Sequence, residues 1–182
     1  MVKDWHIGSV IAVSCWLCIL PQVLFIIDVW SEHAGSGVLL LIGSYIAAKL
    51  FADRLPSSYY GLRRFERDGV IYERAGVRAF RHLVPDGDLA NAAARRRGEL
   101  SRRIDRSVEN LDHLEQRGRL AERLHLMSLL STLPLALFAA SIGRPGWALV
   151  LFCPNVLFHL YPVMLQRYTR ARLFALRAKG RL

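Results

Sequence analysis

Acidic residues are the under-represented class in this chain: 15 Asp and Glu stand against 25 Lys and Arg, a formal net charge of +10. Cysteine is scarce as well. Cys15, Cys18 and Cys153 are the three, and all lie in apolar runs. Cys15 and Cys18 have CxxC spacing, but an apolar helix offers no further ligands. They read as small buried apolar residues, and no metal site is expected. No G-x-S-x-G elbow, HExxH, Walker A or GxGxxG is present, so none of those chemistries has a motif to stand on. The N-terminus also lacks the marks of a cleavable signal, because its apolar run is too long for an h-region and no A-x-A-like site follows.

What the chain has is segregation. Hydrophobic residues make up 53% of a strongly basic chain, which is possible only if apolar and basic residues occupy separate stretches. Long apolar runs alternate with Arg-rich segments, as in a small multi-pass membrane protein. The expected fold is all-α, a single integral membrane domain over 1–182 with spans at about 7–29, 36–52, 123–142 and 147–166. The first run, IGSVIAVSCWLCILPQVLFII, is charge-free, with a kink at Pro21 where Gln22 fills hydrogen-bond needs. Gly35, Gly37, Gly43 and Ser44 would let the second span pack closely. Between spans two and three lies a long amphipathic loop, residues 53–122, carrying 15 Arg against 12 Asp and Glu. It reads as short helical or turn pieces on the membrane surface, then a longer helix over 89–122 with an apolar stripe at Leu100, Ile104, Val108, Leu111 and Leu114. A basic tail fills 167–182.

Orientation follows from charge. Arg144 is the only Lys or Arg in the two short connections, whereas the other basic residues cluster at the N-terminus, in the long loop, at the adjoining span ends and in the tail. The positive-inside rule, together with an even number of spans, puts both termini and residues 53–122 on the cytoplasmic side of a cell membrane.

Candidate chemistry gathers at the cytoplasmic ends of spans three and four. Glu122 and His125 share a helical face, which suits a carboxylate orienting a general base. Asn155, His159 and Gln166 fall within about 40° of one another on a regular helix, an unusual stripe for a lipid-facing segment. His125, Ser128 and Thr132 form a second stripe that could face it. Arg167 follows Gln166 at the same level. Arg170 and Arg172 are expected to be lipid-facing anchors. The spacing His82-x-x-x-Asp86 misses the H-x4-D of glycerolipid acyltransferases by one residue.

Four pieces in order, FERDGVIY (65–72), GVRAFRHLVPDG (76–87), AE-x-x-H (121–125) and YPVMLQRYTRARL (161–173), resemble the glycosyl-4,4'-diaponeurosporenoate acyltransferase family of bacterial carotenoid synthesis. Thr169, Leu126 and His159 depart from the family's usual Asn, Trp and Asn. The resemblance implies transfer of a fatty acyl group to a hydroxyl of a glycosylated carotenoid or similar apolar glycolipid at the cytoplasmic leaflet of the bacterial membrane. It implies no resident cofactor, only an acyl donor such as acyl-CoA as co-substrate. No nucleic-acid partner is expected, and membrane lipids are the surrounding partners. On this reading His125 and Glu122 are catalytic, Gln166 or Arg167 stabilises the oxyanion, and Tyr168, His159, Asn155, Arg78, Arg81 and Asp86 complete the substrate-binding set. Two alternatives stay open: a non-catalytic membrane scaffold or lipid-binding protein, and a lipid-modifying enzyme with a different acceptor.

Overall fold

The computed structural model describes residues 16–33, 35–84 and 108–178. Among these the chain is helical and has no strand, as expected. In order come α1 (Trp16–Asp28), α2 (Trp30–His33), α3 (Ser36–Asp53), two 3-10 turns (Ser57–Tyr60, Arg64–Glu66), α4 (Val70–Arg74), α5 (Val77–Leu83), α6 (Val108–Ser141), α7 (Pro145–Asn155), a π-helical segment (Val156–Leu160) and α8 (Tyr161–Ala178).

Among the described residues three stretches are long and apolar enough to cross a bilayer: Ser36–Asp53, Glu115–Ser141 and Pro145–Ala175. The fourth expected span is α1, which has 13 described residues, Trp16–Asp28, short of a full crossing. Residues 7–15 of that run lie outside the described part, as do Cys15, Asp86, the Arg95–Arg97 run and the first half of the 89–122 helix. Among the described residues three helices of membrane length therefore stand on the structure, and the first expected span lies partly outside them. Such helices point to association with a membrane.

A correction concerns boundaries. The loop helix and the third span are one continuous helix, α6, of 34 residues. Nothing in 108–122 stops it, because good helix formers run straight through and the change from polar to apolar side chains does not touch the backbone ladder. The basic tail is likewise helical as far as Ala178.

Two compact units emerge: Met1–Pro56 with Arg123–Pro162, and Ser57–Glu122 with Val163–Leu182. The first unit has an apolar core of Phe25, Val29, Leu135, Ala136, Ala139 and Leu151, with Phe138 and Trp147 stacked edge-on or tilted against Phe25. Its polar rim is built around Arg144. That guanidinium donates to Glu32 at 2.9 and 3.0 Å, and Trp147 Nε1 donates to Asp28 at 2.9 Å. Gln22 Nε2 donates to the Cys18 carbonyl at 2.8 Å, one turn back and beside Pro21. Ser44 donates to the Ser131 carbonyl at 2.7 Å and so ties α3 to α6, and Gly37 is buried against Ile26. Gly43 was expected to join this close packing, but no described atom comes within 4 Å of where its Cβ would stand.

The turn between α6 and α7 shows how sequence sets geometry. Gly143 takes φ 76°, Arg144 N–H bonds the Ala139 carbonyl and Gly143 N–H bonds that of Ala140. This is a Schellman close, and Pro145 then begins the next helix with its φ already set. Space is not the constraint at Gly143, since its Cβ would meet nothing; the left-handed backbone is. We expect Gly143→Ala to lower unfolding stability in detergent by about 1 kcal/mol, and Gly146→Ala, in open space without positive φ, to leave it unchanged. Equal effects from both would remove the turn argument.

Candidate functional site

In the second unit, the side chains converge on Arg167. The turn that begins at Phe65 brings them there. Asp68 caps the Val70 amide at 3.1 Å, and Gly69 reverses the chain with φ 76°, so Glu66 and Tyr72 arrive on the same side. Gly69 is also needed for space, because a Cβ there would stand 3.1 Å from the Tyr168 ring. Arg167 meets Glu66 as a fork, Nε to Oε1 at 2.8 Å and Nη2 to Oε2 at 2.9 Å. Its Nη1 donates to Glu122 at 3.0 Å and to the Tyr59 carbonyl at 3.3 Å, and its Nε also reaches Tyr72 Oη at 3.2 Å. The guanidinium lies over the Tyr59 ring, 5.3 Å from its centre.

Glu66 accepts from both edges of that fork, from the Tyr72 hydroxyl and from the Arg63 amide at 2.8 Å. Four donors fill the acceptor capacity of a carboxylate. Burial pushes the Glu66 carboxyl up, but Arg167, Tyr72 and the Arg63 amide together outweigh it and hold the group at about 2. Burial, followed by the neighbouring Glu66, pushes Tyr72 up to about 12, so its hydroxyl stays a donor. Tyr59 is likewise pushed up to about 12, by burial and then by the charge of Glu122.

Glu122 is fully buried, and both its oxygens are taken, one by Arg167 and the other by Arg170. The sequence-based pairing of Glu122 with His125 therefore gives way to a pairing with two arginines. Two permanent guanidinium charges compensate a buried carboxylate better than one imidazole that can discharge. Arg170, expected to face lipid, is instead 6% exposed. Tyr168 is buried as well. Its hydroxyl donates to Glu73 at 2.8 Å, its ring meets Tyr72, and the exposed Arg78 lies 3.7 Å from the same Glu73. Arg81 is half-buried on α5. Gln166 stands against Gly118, its Oε1 3.2 Å from where a Cβ would be.

The first unit holds a different cluster. His125 on α6 and His159 in the π segment stack at a tilt, with ring centres 5.9 Å apart. Asn155 is buried and donates to the Leu129 carbonyl at 3.2 Å. His159 Nδ1 and Asn155 Oδ1 are buried without a hydrogen-bond partner among the described residues. Thr132 and Ser131 donate back to the Ser128 carbonyl at 3.0 and 2.9 Å, so those hydroxyls serve their own helix. Thr132 also lines a narrow crevice with Asn155 and His159. The π segment changes the expected geometry, because a wider turn breaks the 100° spacing on which the Asn155–His159–Gln166 stripe was reckoned.

A family model described as glycosyl-4,4'-diaponeurosporenoate acyltransferase matches residues 56–179, about two thirds of the 182-residue chain. The chain belongs to the glycosyl-4,4'-diaponeurosporenoate acyltransferase family. Comparisons with curated proteins and with solved structures return no match. Both clusters fall inside the matched segment of this acyltransferase-family chain, and α1 to α3 lie before it. Sequence reasoning missed Glu66, Tyr72, Tyr59, Glu73 and the buried role of Arg170. The signal was within reach for the first two, which are the polar residues of the FERDGVIY piece that resembles the family.

Removing Glu66 leaves Arg167 partly unpaired in a buried setting, so Glu66→Gln should cost about 3 kcal/mol of unfolding stability. Arg78→Gln, losing an exposed contact, should cost at most a few tenths. The acid dependence has a definite sign. The folded pKa of Glu66 lies below its ordinary value of 4.5, so its contribution is present above about pH 4.5 and is lost as pH falls through about 2. Unfolding curves of wild type and Glu66→Gln should converge over that window; a constant gap down to pH 2 would contradict the assignment.

Proposed function

We propose that this chain is a membrane acyltransferase that moves a fatty acyl group from a thioester donor to a hydroxyl of a glycosylated carotenoid or a similar apolar glycolipid. Membership of an acyltransferase family carries the reaction class. The distribution of basic residues supports a cytoplasmic-leaflet site with both termini on that side.

The His125–His159 pair is the observation that carries the chemistry. Acyl transfer to an alcohol needs a base for the hydroxyl proton. In the proposed step, an imidazole nitrogen of His125 takes that proton as the alcohol oxygen attacks the thioester carbonyl. The new C–O bond forms, the tetrahedral intermediate collapses, the C–S bond breaks, and the imidazolium returns the proton to the departing thiolate. No charge is left over. His159 packs against the base, and its unpartnered Nδ1 gives the polar head of an otherwise apolar acceptor something to bind. Asn155 positions the π segment through its bond to Leu129.

Arg167 takes a different part from the one its sequence position implied. All three of its nitrogens are committed to Glu66, Glu122, Tyr72 and Tyr59. It acts as a positioning residue, leaving oxyanion stabilisation to other donors.

The test is turnover in membranes bearing His125→Ala, His159→Ala or both, with insertion and abundance checked in parallel. His125→Ala should lower acyl transfer about a hundredfold or more at unchanged abundance, and His159→Ala should raise KM for the acceptor more than it lowers kcat. Normal turnover in His125→Ala would remove the base. Loss of abundance in every variant, without separable loss of turnover, would favour the non-catalytic scaffold.

A further inference from the structure

The second unit contains a cavity of about 330 Å³, in the size range of small-ligand sites. Four arginines line it, Arg67, Arg119, Arg170 and Arg177, with Tyr60 and Phe174 supplying aromatic faces. One carboxylate, Glu115, is part of the wall, and Arg119 at 2.7 Å and Arg177 at 3.4 Å already neutralise it. Among the described residues the lining therefore carries a surplus of positive charge.

Arg170 is the informative member. Its Nη2 is spent on Glu122, yet its Nε and Nη1 are buried and have no hydrogen-bond partner among the described residues, in a side chain only 6% exposed. Arg119 Nε is orphaned in the same way. The two guanidiniums share one ring, lying 5.8 and 5.9 Å from the centre of Tyr60. Like charges drawn to one aromatic ring, with N–H groups left unsatisfied, are costly unless an acceptor reaches them. An anion that presents two or more oxygens to a planar guanidinium, such as a phosphate, is what such forks match.

We infer that this cavity binds a phosphate or diphosphate ester, held by Arg119 and Arg170 over Tyr60, and that the ester is the anionic end of the acyl donor. The inference rests on the acyltransferase reading for the donor's identity, but anion binding is measurable without acceptor or turnover. Failure of one is thus distinguishable from failure of the other. Two sources share the chemistry: a nucleotide-bearing thioester carrier and a phospholipid headgroup.

The experiment uses the full chain in nanodiscs of zwitterionic lipid, titrated with inorganic diphosphate and with coenzyme A, and repeated in discs containing phosphatidylglycerol. Wild type should bind diphosphate, and Arg119→Gln should weaken it about tenfold. Arg170→Gln should do the same, but it also uncovers Glu122, so Arg119→Gln is the deciding variant. Arg74→Gln, an exposed control on α4, should leave binding unchanged. Coenzyme A binding more tightly than diphosphate, and displaced by it, assigns a nucleotide thioester. Diphosphate binding lost in phosphatidylglycerol discs, with coenzyme A no tighter than diphosphate, assigns a lipid phosphate. Absence of binding by all three probes, or binding indifferent to Arg119→Gln, overturns the site.

Discussion

The fork between Arg167 and Glu66 is the constraint on which the second unit depends. It joins two residues 101 positions apart, and around it two carboxylates and two guanidiniums cancel. A buried carboxylate with all four acceptor sites filled is stable only if each partner stays in place. The turn at Asp68 and Gly69, the position of Tyr72 and the burial of Tyr168 beside Gly69 all answer that demand. Ion pairs of this kind fix geometry more than they add stability, because desolvation takes back much of the Coulomb gain. That suits a unit in which short turns and helices of five and seven residues, which apolar burial alone would hold poorly, accompany segments of α6 and α8.

Neutrality at the fork throws the remaining charge into relief. With Glu66 and Glu122 matched by Arg167 and Arg170, the nitrogens of Arg119 and Arg170 that have no partner among the described residues stand out as the capacity on which the inferred anion site rests. In the first unit the analogous orphan is Nδ1 of His159, set in a π segment. Such segments persist where the irregular turn serves a side chain's placement. On the proposed reading the two units offer different chemistries, a charged site for anions in one and a half-buried imidazole pair for proton transfer in the other.

The sequence makes some of this legible and conceals the rest for identifiable reasons. Charge-free runs announce the apolar helices, and the Gly143–Arg144–Pro145 turn is written in residue types that allow little else. Helix α6 could not be delimited at residue 123, because hydropathy changes there while helix propensity does not. The partner of Glu122 was misassigned because helical spacing names the neighbour on the same face, and two arginines on another helix compete better than that neighbour. The Asn155–His159–Gln166 stripe stands out in the sequence as polar residues on an apolar segment, yet its angular argument assumes a regular helix through Val156–Leu160. Each of the three still turns toward α6, at Leu129, His125 and Gly118. The pairing of Glu66 with Arg167 leaves no trace in periodicity. Only the order of the motif pieces pointed to the segments that hold them.

A double-mutant cycle on Glu66→Gln and Arg167→Gln, read by reversible unfolding in mixed micelles near neutral pH, tests the fork most directly. The account predicts strong non-additivity, a coupling of about 2–3 kcal/mol, because each single variant strands a buried charge that the double variant removes. Losses that add to within about 0.5 kcal/mol would mean that the two residues act independently, and the fork would cease to be the constraint around which this unit is built.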